Sequence, residues 1–379
     1  MTNNTSLEIY NQPDLWIKTY NQLQNHQEAL SKFLAMVYGF DDLSIVLTGA
    51  GTSAFIGKVL QGPFQKRTNI PTRAIATTDL VSHPSMFFQS GRTTLLVSFA
   101  RSGDSPESVA AVELADEVCD NVYHLIISCN QNGKLARSKN PSNKYIFILP
   151  EGANDKGLAM TGSFTSMLLV GLLIARIEDL SSLKSQVLQL SDYANEVLDN
   201  YIEKLKQVAA LDFKRAVFLG SGPQLGVAEE SHLKLQELTD GIVICKHDSF
   251  LGFRHGPKAI IDDSTLIVYL FSNNTFVQQY EEDLIQQISN GGKGIYSIAI
   301  MESDNDEVAV DLKIITGNAH ENLDEEFLAV CNILPAQLLG YFKSLQLGIN
   351  PDNPSISGAI SRVVKGVEIY PYQEVLKNV

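Results

Sequence analysis

Apolar residues recur at helical intervals near the start of the chain: Leu15, Ile17, Tyr20, Leu23, Leu30, Phe33, Leu34 and Val37, with Pro13 suited to a first helical turn. The spacing predicts helix from about Ser6 to Tyr38. From Ser44 the period changes. Ser44–Thr48 (SIVLT), Thr94–Phe99 (TLLVSF), Val122–Ser128 (VYHLIIS) and Tyr145–Leu149 (YIFIL) are short, mostly apolar runs, separated by helix-like stretches such as Glu107–Glu117. A strand that is apolar on both faces must be covered on both, as in a parallel sheet between layers of helix. The pattern predicts βαβ units.

The organisation then recurs. Ile45-Val-Leu-Thr-Gly49-Ala-Gly51 returns as Ala216-Val-Phe-Leu-Gly220-Ser-Gly222, with the paired glycines 171 positions apart. Leu95–Phe99 returns as Leu266–Leu270, again 171 apart, and Asn121–Ile127 as Gly294–Ile300, 173 apart. Near-equal offsets at three strand starts predict two similar α/β domains, joined by the mostly helical Leu180–Leu211. The expected layout is a helical segment at 1–40, a first domain at 41–190, a second at 191–345 and a tail at 346–379. The tail opens with the turn-rich Asn350-Pro-Asp-Asn-Pro354, which fits a segment led back over a neighbouring site and equally fits plain packing.

Composition narrows the class. A chain of 379 residues with 44% hydrophobic and 19% charged residues is globular and exceeds one ordinary core. Cys119, Cys129, Cys245 and Cys331 form no CxxC pair, and three of them lie in apolar runs, so neither a disulfide framework nor a zinc site is expected. That usage fits a reducing cytoplasm. The N-terminus lacks the basic-then-apolar pattern of a signal peptide, and runs such as Met167–Ala175 are shorter than a membrane span. A formal charge of −14 argues against a nucleic-acid partner. It leaves room for a small phosphorylated ligand, which backbone amides and hydroxyls at a helix N-terminus can hold.

Gly49-Ala-Gly51-Thr52-Ser53-Ala54 fits the dinucleotide fingerprint, but the acidic residue that should follow about 20 positions on is missing from Asn69–Ala76. No nucleotide cofactor is expected. A second loop, Phe99-Ala-Arg101-Ser102-Gly103-Asp104-Ser105-Pro106, also closes a strand and opens a helix. Loops after adjacent parallel strands meet at the carboxyl edge of the sheet. There Gly51, Thr52, Ser53, Arg101, Ser102 and Ser105 would gather hydroxyls, amides and one cation about a phosphate monoester. Each loop alone also fits ordinary helix capping, Ser105 being a good N-cap, and Arg101 fits a surface ion pair.

The stretch Ala228–Lys258 carries the remaining chemistry. Glu230, Lys234 and Glu237 stand at i, i+4 and i+7, one face of a predicted helix, and His255 follows in the Gly252–Lys258 loop. A carboxylate base with a separately held histidine suits proton transfer between carbon and oxygen. The same residues, alone, fit a solvated ion pair and a histidine decorating a turn. His83, His124, His232 and His247 are read as structural, and no histidine or cysteine spacing points to a metal.

The serine loops, Glu230-x-x-x-Lys234-x-x-Glu237 and His255-Gly-Pro resemble the tandem sugar isomerase (SIS) family, including the isomerase half of glucosamine-6-phosphate synthase. Ser-Phe-Ala-Arg-Ser-Gly-Asp-Ser-Pro-Glu-Ser, Phe253-Arg-His255-Gly-Pro-Lys258 and Pro351-Asp-Asn-Pro354 are most similar to the AgaS group. The resemblance implies two αβα sandwiches of flavodoxin-like type, no cofactor or metal, and a homodimer or larger homo-oligomer with shared active sites. It implies a deaminating ketose/aldose isomerase acting on galactosamine 6-phosphate. Plain tagatose-6-phosphate isomerisation and a non-catalytic sugar-phosphate sensor are the alternatives. By the same resemblance Ser53, Ser102 and Ser105 hold the phosphate, and Glu237 moves a proton between C2 and C1. His255 assists ring opening across a dimer interface, Glu230 and Lys234 complete the pocket, and Lys365 aligns with a Schiff-base lysine. The chain begins at the isomerase part without a glutaminase domain, which favours deamination over synthesis. Ala100-Arg101 stands where the synthase has Ser-Gln.

Overall fold

The computed structural model describes residues 3–137, 143–317, 322–364 and 366–372. Helices α1 (Asn4–Tyr10) and α2 (Gln12–Tyr38) lead into β1 (Ser44–Thr48), α3 (Thr52–Thr68), β2 (Thr72–Ala74), α4 (Thr77–Ser82), α5 (Pro84–Phe87), β3 (Thr93–Ala100), α6 (Pro106–Val118), β4 (Asn121–Ser128) and β5 (Lys144–Ile148). Every residue of β1 and β3 is buried, which is why their sequences are apolar on both faces. Helices α7 (Gly162–Ile174), α8 (Lys184–Asn200) and α9 (Ile202–Ala210) then lead to the second half. It comprises β6 (Arg215–Gly220), α10 (Pro223–Leu238), β7 (Ile244–Ser249), α11 (Phe250–Phe253), β8 (Thr265–Leu270), α12 (Thr275–Ser289), β9 (Tyr296–Met301), β10 (Leu312–Ile315), α13 (Glu325–Cys331) and α14 (Leu334–Gln346).

Both sheets are five-stranded and parallel, ordered β2-β1-β3-β4-β5 and, from the other edge, β7-β6-β8-β9-β10. That is the flavodoxin-like order, present twice. The repeat extends to backbone detail. Gly51 (φ 56°, ψ −129°) and Gly222 (φ 53°, ψ −124°) take the same left-handed turn into α3 and α10. A Cβ on Gly49 would lie 2.6 Å from the Ser53 carbonyl oxygen, and one on Gly220 would lie 2.2 Å from that of Gln224. Three strands were not legible in the hydrophobic pattern: β2 and β10 are only three and four residues long, and β7 ends in polar side chains.

The ligand loops of the two halves differ. In the second half the Ser272 amide donates to the fully buried Glu281 (3.1 Å), the Asn274 amide to the Ser272 hydroxyl (3.0 Å), and the Phe276 amide to the Asn274 side chain (3.0 Å). The turn donors there are satisfied by the chain's own side chains. Between the halves α3 packs on α10 so closely that a Cβ on Gly226 would fall 2.7 Å from the Val59 nitrogen. The N-terminal helix is tied to both halves. Trp16 Nε1 donates to the Thr165 hydroxyl (2.9 Å), which donates to Gln12 Oε1 (2.7 Å), and Gln12 Nε2 donates to Gln337 in α14 (2.7 Å). Residues 325–346 are apolar and long enough to cross a membrane, yet 94% of their most apolar window lies buried inside the fold, as in a core helix.

Candidate active site

A cavity of about 180 Å³ opens at the carboxyl edge of the first sheet. Strands β1 and β3 lie side by side there, and the loops leaving them diverge into α3 and α6, which makes this the crevice where open α/β sheets hold ligands. Gly51, Thr52, Ser53, Arg101, Ser102 and Ser105 all line it, so the two serine loops meet at one place. Ser105 is the N-cap residue of α6 but makes no side-chain capping bond, which leaves its hydroxyl for the cavity. The Ser102 hydroxyl accepts from the Asp104 amide (3.2 Å) and keeps its own proton to donate. Asn130 Nδ2 holds the Ser102 carbonyl (2.9 Å), and Gly133 backs the loop at a distance no Cβ would permit. Two helix N-termini and three hydroxyls converge here without a carboxylate from the loops themselves.

The opposite wall is α10, which presents Leu233 and Glu237. Behind Glu237 the predicted face is fully internal: Glu230 and Lys234 have no solvent exposure, and the Glu237 side chain keeps 18%. Lys234 Nζ lies 2.5 Å from Glu237 Oε2 and 3.3 Å from Glu230 Oε1, and the Thr52 hydroxyl donates to that same Glu230 oxygen (3.3 Å). The solvated-pair reading is therefore excluded. Burial pushes the Glu230 carboxyl up to about 8, with Lys234 opposing the shift and Glu237 adding to it. Burial alone would lower Lys234, but the two carboxylates outweigh it and hold its ammonium above the ordinary lysine range. The lysine thus faces Glu237 as a fixed counter-charge, and Thr52 links this triad to the serine loop.

His255 stands apart. It lies on the exposed turn after α11 and does not line the cavity of its own chain. Gly256 after it takes φ +118°, a conformation that glycine supplies without strain. Ile242, Ile244 and Leu251, each half exposed, lie along the same stretch. Lys365 lies outside the described residues; its neighbour Val364 lines the cavity together with Ser361 and Arg362. Arg101 lines the cavity, and its guanidinium is engaged by backbone carbonyls, donating to those of Gly157 (3.3 Å), Leu158 (3.0 Å) and Arg362 (2.7 Å).

Several contributors have no sequence signature. Leu158 and Met160 form an apolar wall, and Asp155 anchors their loop, accepting from the amides of Thr161 (2.8 Å), Gly162 (3.1 Å) and Ser163 (2.9 Å) at the start of α7. Thr161-Gly-Ser163 before an apolar run is a readable helix start, but the reach of its loop to Arg101 is not. Among the described residues, the other histidines do not line the cavity. The rings of His232 and His247 lie 4.7 Å apart at a 35° tilt, and His232 is driven down to about 4 by burial with His247 beside it. His124 binds Asp116 (2.8 Å), and His83 is exposed beside Ser82.

The SIS domain family model matches residues 41–176. D-galactosamine-6-phosphate deaminase AgaS of Shewanella sp. (strain ANA-3) is 38% identical over 372 residues, 97% of this chain and 92% of that protein. The Escherichia coli protein of the same name is also 38% identical, over 97% of this chain and 96% of its own length. Among solved structures, the tagatose-6-phosphate ketose/aldose isomerase from Escherichia coli superposes with a TM-score of 0.91 at 36% identity, over 98% of both chains. The C-terminal domain of glucosamine-fructose-6-phosphate aminotransferase from Francisella tularensis shares the fold at 18% identity, with a TM-score of 0.77 over 93% of this chain and 98% of that one. With near-complete alignment at this identity, the chain belongs to the AgaS family of SIS-domain proteins.

Proposed function

We propose that the chain is a deaminating ketose/aldose isomerase that converts galactosamine 6-phosphate and water to tagatose 6-phosphate and ammonia. The observation that carries the reading is the single partly open carboxylate, Glu237, backed by a buried lysine and set across a small cavity from three serines at two helix N-termini. The names of the AgaS relatives point the same way. Ser53, Ser102 and Ser105, with the loop amides, hold the phosphate and so fix the sugar chain against α10. In the open-chain aldehyde, Glu237 takes the C2 proton while O1 gains one, giving an enolamine. Glu237 returns its proton to C1, which leaves a ketimine at C2. Water adds there and ammonia departs. With oxygen in place of nitrogen at C2, the same transfer is a plain aldose–ketose isomerisation, the activity in the name of the similar E. coli structure.

The chain works as a homodimer or larger homo-oligomer in which His255 reaches the site of a neighbouring copy. The exposed histidine beside half-exposed Ile242, Ile244 and Leu251 supports this, because an apolar edge that carries a catalytic group needs a partner to cover it.

Ammonia release from galactosamine 6-phosphate, with glucosamine 6-phosphate in parallel, tests the reaction. Release from the galacto sugar is expected. No release from either sugar, with tagatose 6-phosphate interconverted, would replace deamination by isomerisation, and inertness toward all three would leave a sensor. In the same assay Ser102→Ala with Ser105→Ala should raise KM by about 10²-fold or more, since each hydroxyl bond to a charged group contributes roughly 1.5–3 kcal/mol. An unchanged KM would remove that loop from the phosphate site.

A further inference from the structure

We infer that Arg101 is a positioning residue that fastens the C-terminal segment 361–364 in place as a wall of the substrate cavity. The inference rests on reading that cavity as a sugar-phosphate site. Arg101 sits in the serine loop, where a cation for the phosphate would be expected, yet it is only 7% exposed. Its shortest bond, 2.7 Å, goes to the carbonyl of Arg362, and two further bonds go to Gly157 and Leu158. Among the described residues no carboxylate forms an ion pair with it. Burial lowers its pKa, and the charge of Asp155 opposes that shift. A guanidinium held on three carbonyls is matched to backbone and has few N–H groups left for a ligand.

The grip is reciprocal. Arg362 Nε donates to the Asp155 carbonyl (3.0 Å), as does Nη2, which also donates to Asn154 Oδ1 (2.9 Å). Each arginine therefore binds the backbone beside the other's anchor, and the two cross between the serine loop, the loop 154–158 and the tail. The loop is itself immobilised, because the Asp155 carboxylate is taken up at the start of α7. Farther up, the Asp352 carboxylate accepts from the Asn4 and Thr5 amides of α1 (2.9 and 2.7 Å), and its carbonyl accepts from the Leu158 amide (3.0 Å). The tail is thus tethered at Asp352 and again at Arg362, and the second tether faces the substrate. Lysine at position 101 would keep the charge but could not span three carbonyls in one plane.

The test uses the full chain and the variants R101Q, R101K and R362A, with three readouts: amide hydrogen exchange of peptides covering 355–364, affinity for inorganic phosphate, and kcat/KM for ammonia release. A fastening role predicts that all three variants exchange at least tenfold faster in the tail and lose at least tenfold in kcat/KM. Phosphate affinity should then change less than about threefold. Unaltered tail exchange in R101Q, with phosphate affinity lost in R101Q and kept in R101K, would overturn the inference and return Arg101 to the phosphate. If R101Q does not fold, R362A decides, since it cuts the same crossing from the exposed side. If the wild-type chain binds no phosphate or releases no ammonia, the functional reading falls, while tail exchange in the variants still decides the fastening.

Discussion

Glu237→Gln should lower kcat by about 10²–10⁴-fold, the usual contribution of a positioned general base, while affinity for inorganic phosphate stays within a few-fold. The amide preserves the shape of the side chain, and its oxygen can still face Lys234 Nζ, now 2.5 Å from the carboxylate. Only the capacity to take the C2 proton is removed. A drop in phosphate affinity as large as the drop in kcat would mean that α10 had moved, and near-normal turnover would end the assignment of Glu237 as base. The same variant probes the subunit arrangement. Mixed with His255→Ala, itself expected to be impaired, it should regain activity, because hybrid pairs contain one site with both groups intact. Two inactive proteins that stay inactive on mixing would place both residues in one chain's site.

Lys234→Met should be the most damaging change to stability. Methionine matches the lysine stem in length but leaves Glu230 and Glu237 facing each other without the counter-charge that now lies 3.3 and 2.5 Å away. Removing one partner of a buried ion pair costs about 3–5 kcal/mol. The loss should depend on pH, with a definite sign. A buried carboxyl with a raised pKa contributes stability below its unfolded value, about 4.3 for glutamate, and that stability is lost as pH rises through the folded value. For Glu230 that value is already about 8 with Lys234 present, and without the lysine it moves higher. Up to about pH 8 both proteins keep Glu230 protonated when folded, so the difference should be flat there and widen between about pH 8 and 10, where wild type can ionise Glu230 against Lys234 and the variant cannot. A melting-temperature difference that stays constant through that upper range would show that the triad is not electrostatically coupled.

How much of this was legible in the sequence follows from distance along the chain. β1, β3, β4 and, in the second half, β6, β8 and β9 announced themselves because a largely buried strand leaves a local apolar run, and the repeat at offsets of 171 to 173 residues supports it. The face of α10 was equally readable, since the helical period alone puts Glu230, Lys234 and Glu237 together. Its burial was not, because that depends on α3 and α14 packing over it. The serine loops were recognisable from their residues and from the strand before each. The role of Arg101 was not, since its decisive partner lies 261 positions away and Arg362 returns to a loop 207 positions before it. His255 shows the same limit from the other side: a loop motif gives its identity, and only the folded chain reveals that it does not line its own chain's cavity.

The duplication has a further consequence for how many substrates one chain can process. In the second half the Ser272 amide, which follows β8 as the Arg101 amide follows β3, is already bound to Glu281. A phosphate arriving there would have to displace a fully buried carboxyl group, which burial pushes up to about 7, from the amide it already occupies. The second half is in effect a receptor that carries its own ligand. It serves as the mount of α10, so the architecture is doubled while the turn after β8 is closed by the chain's own side chains.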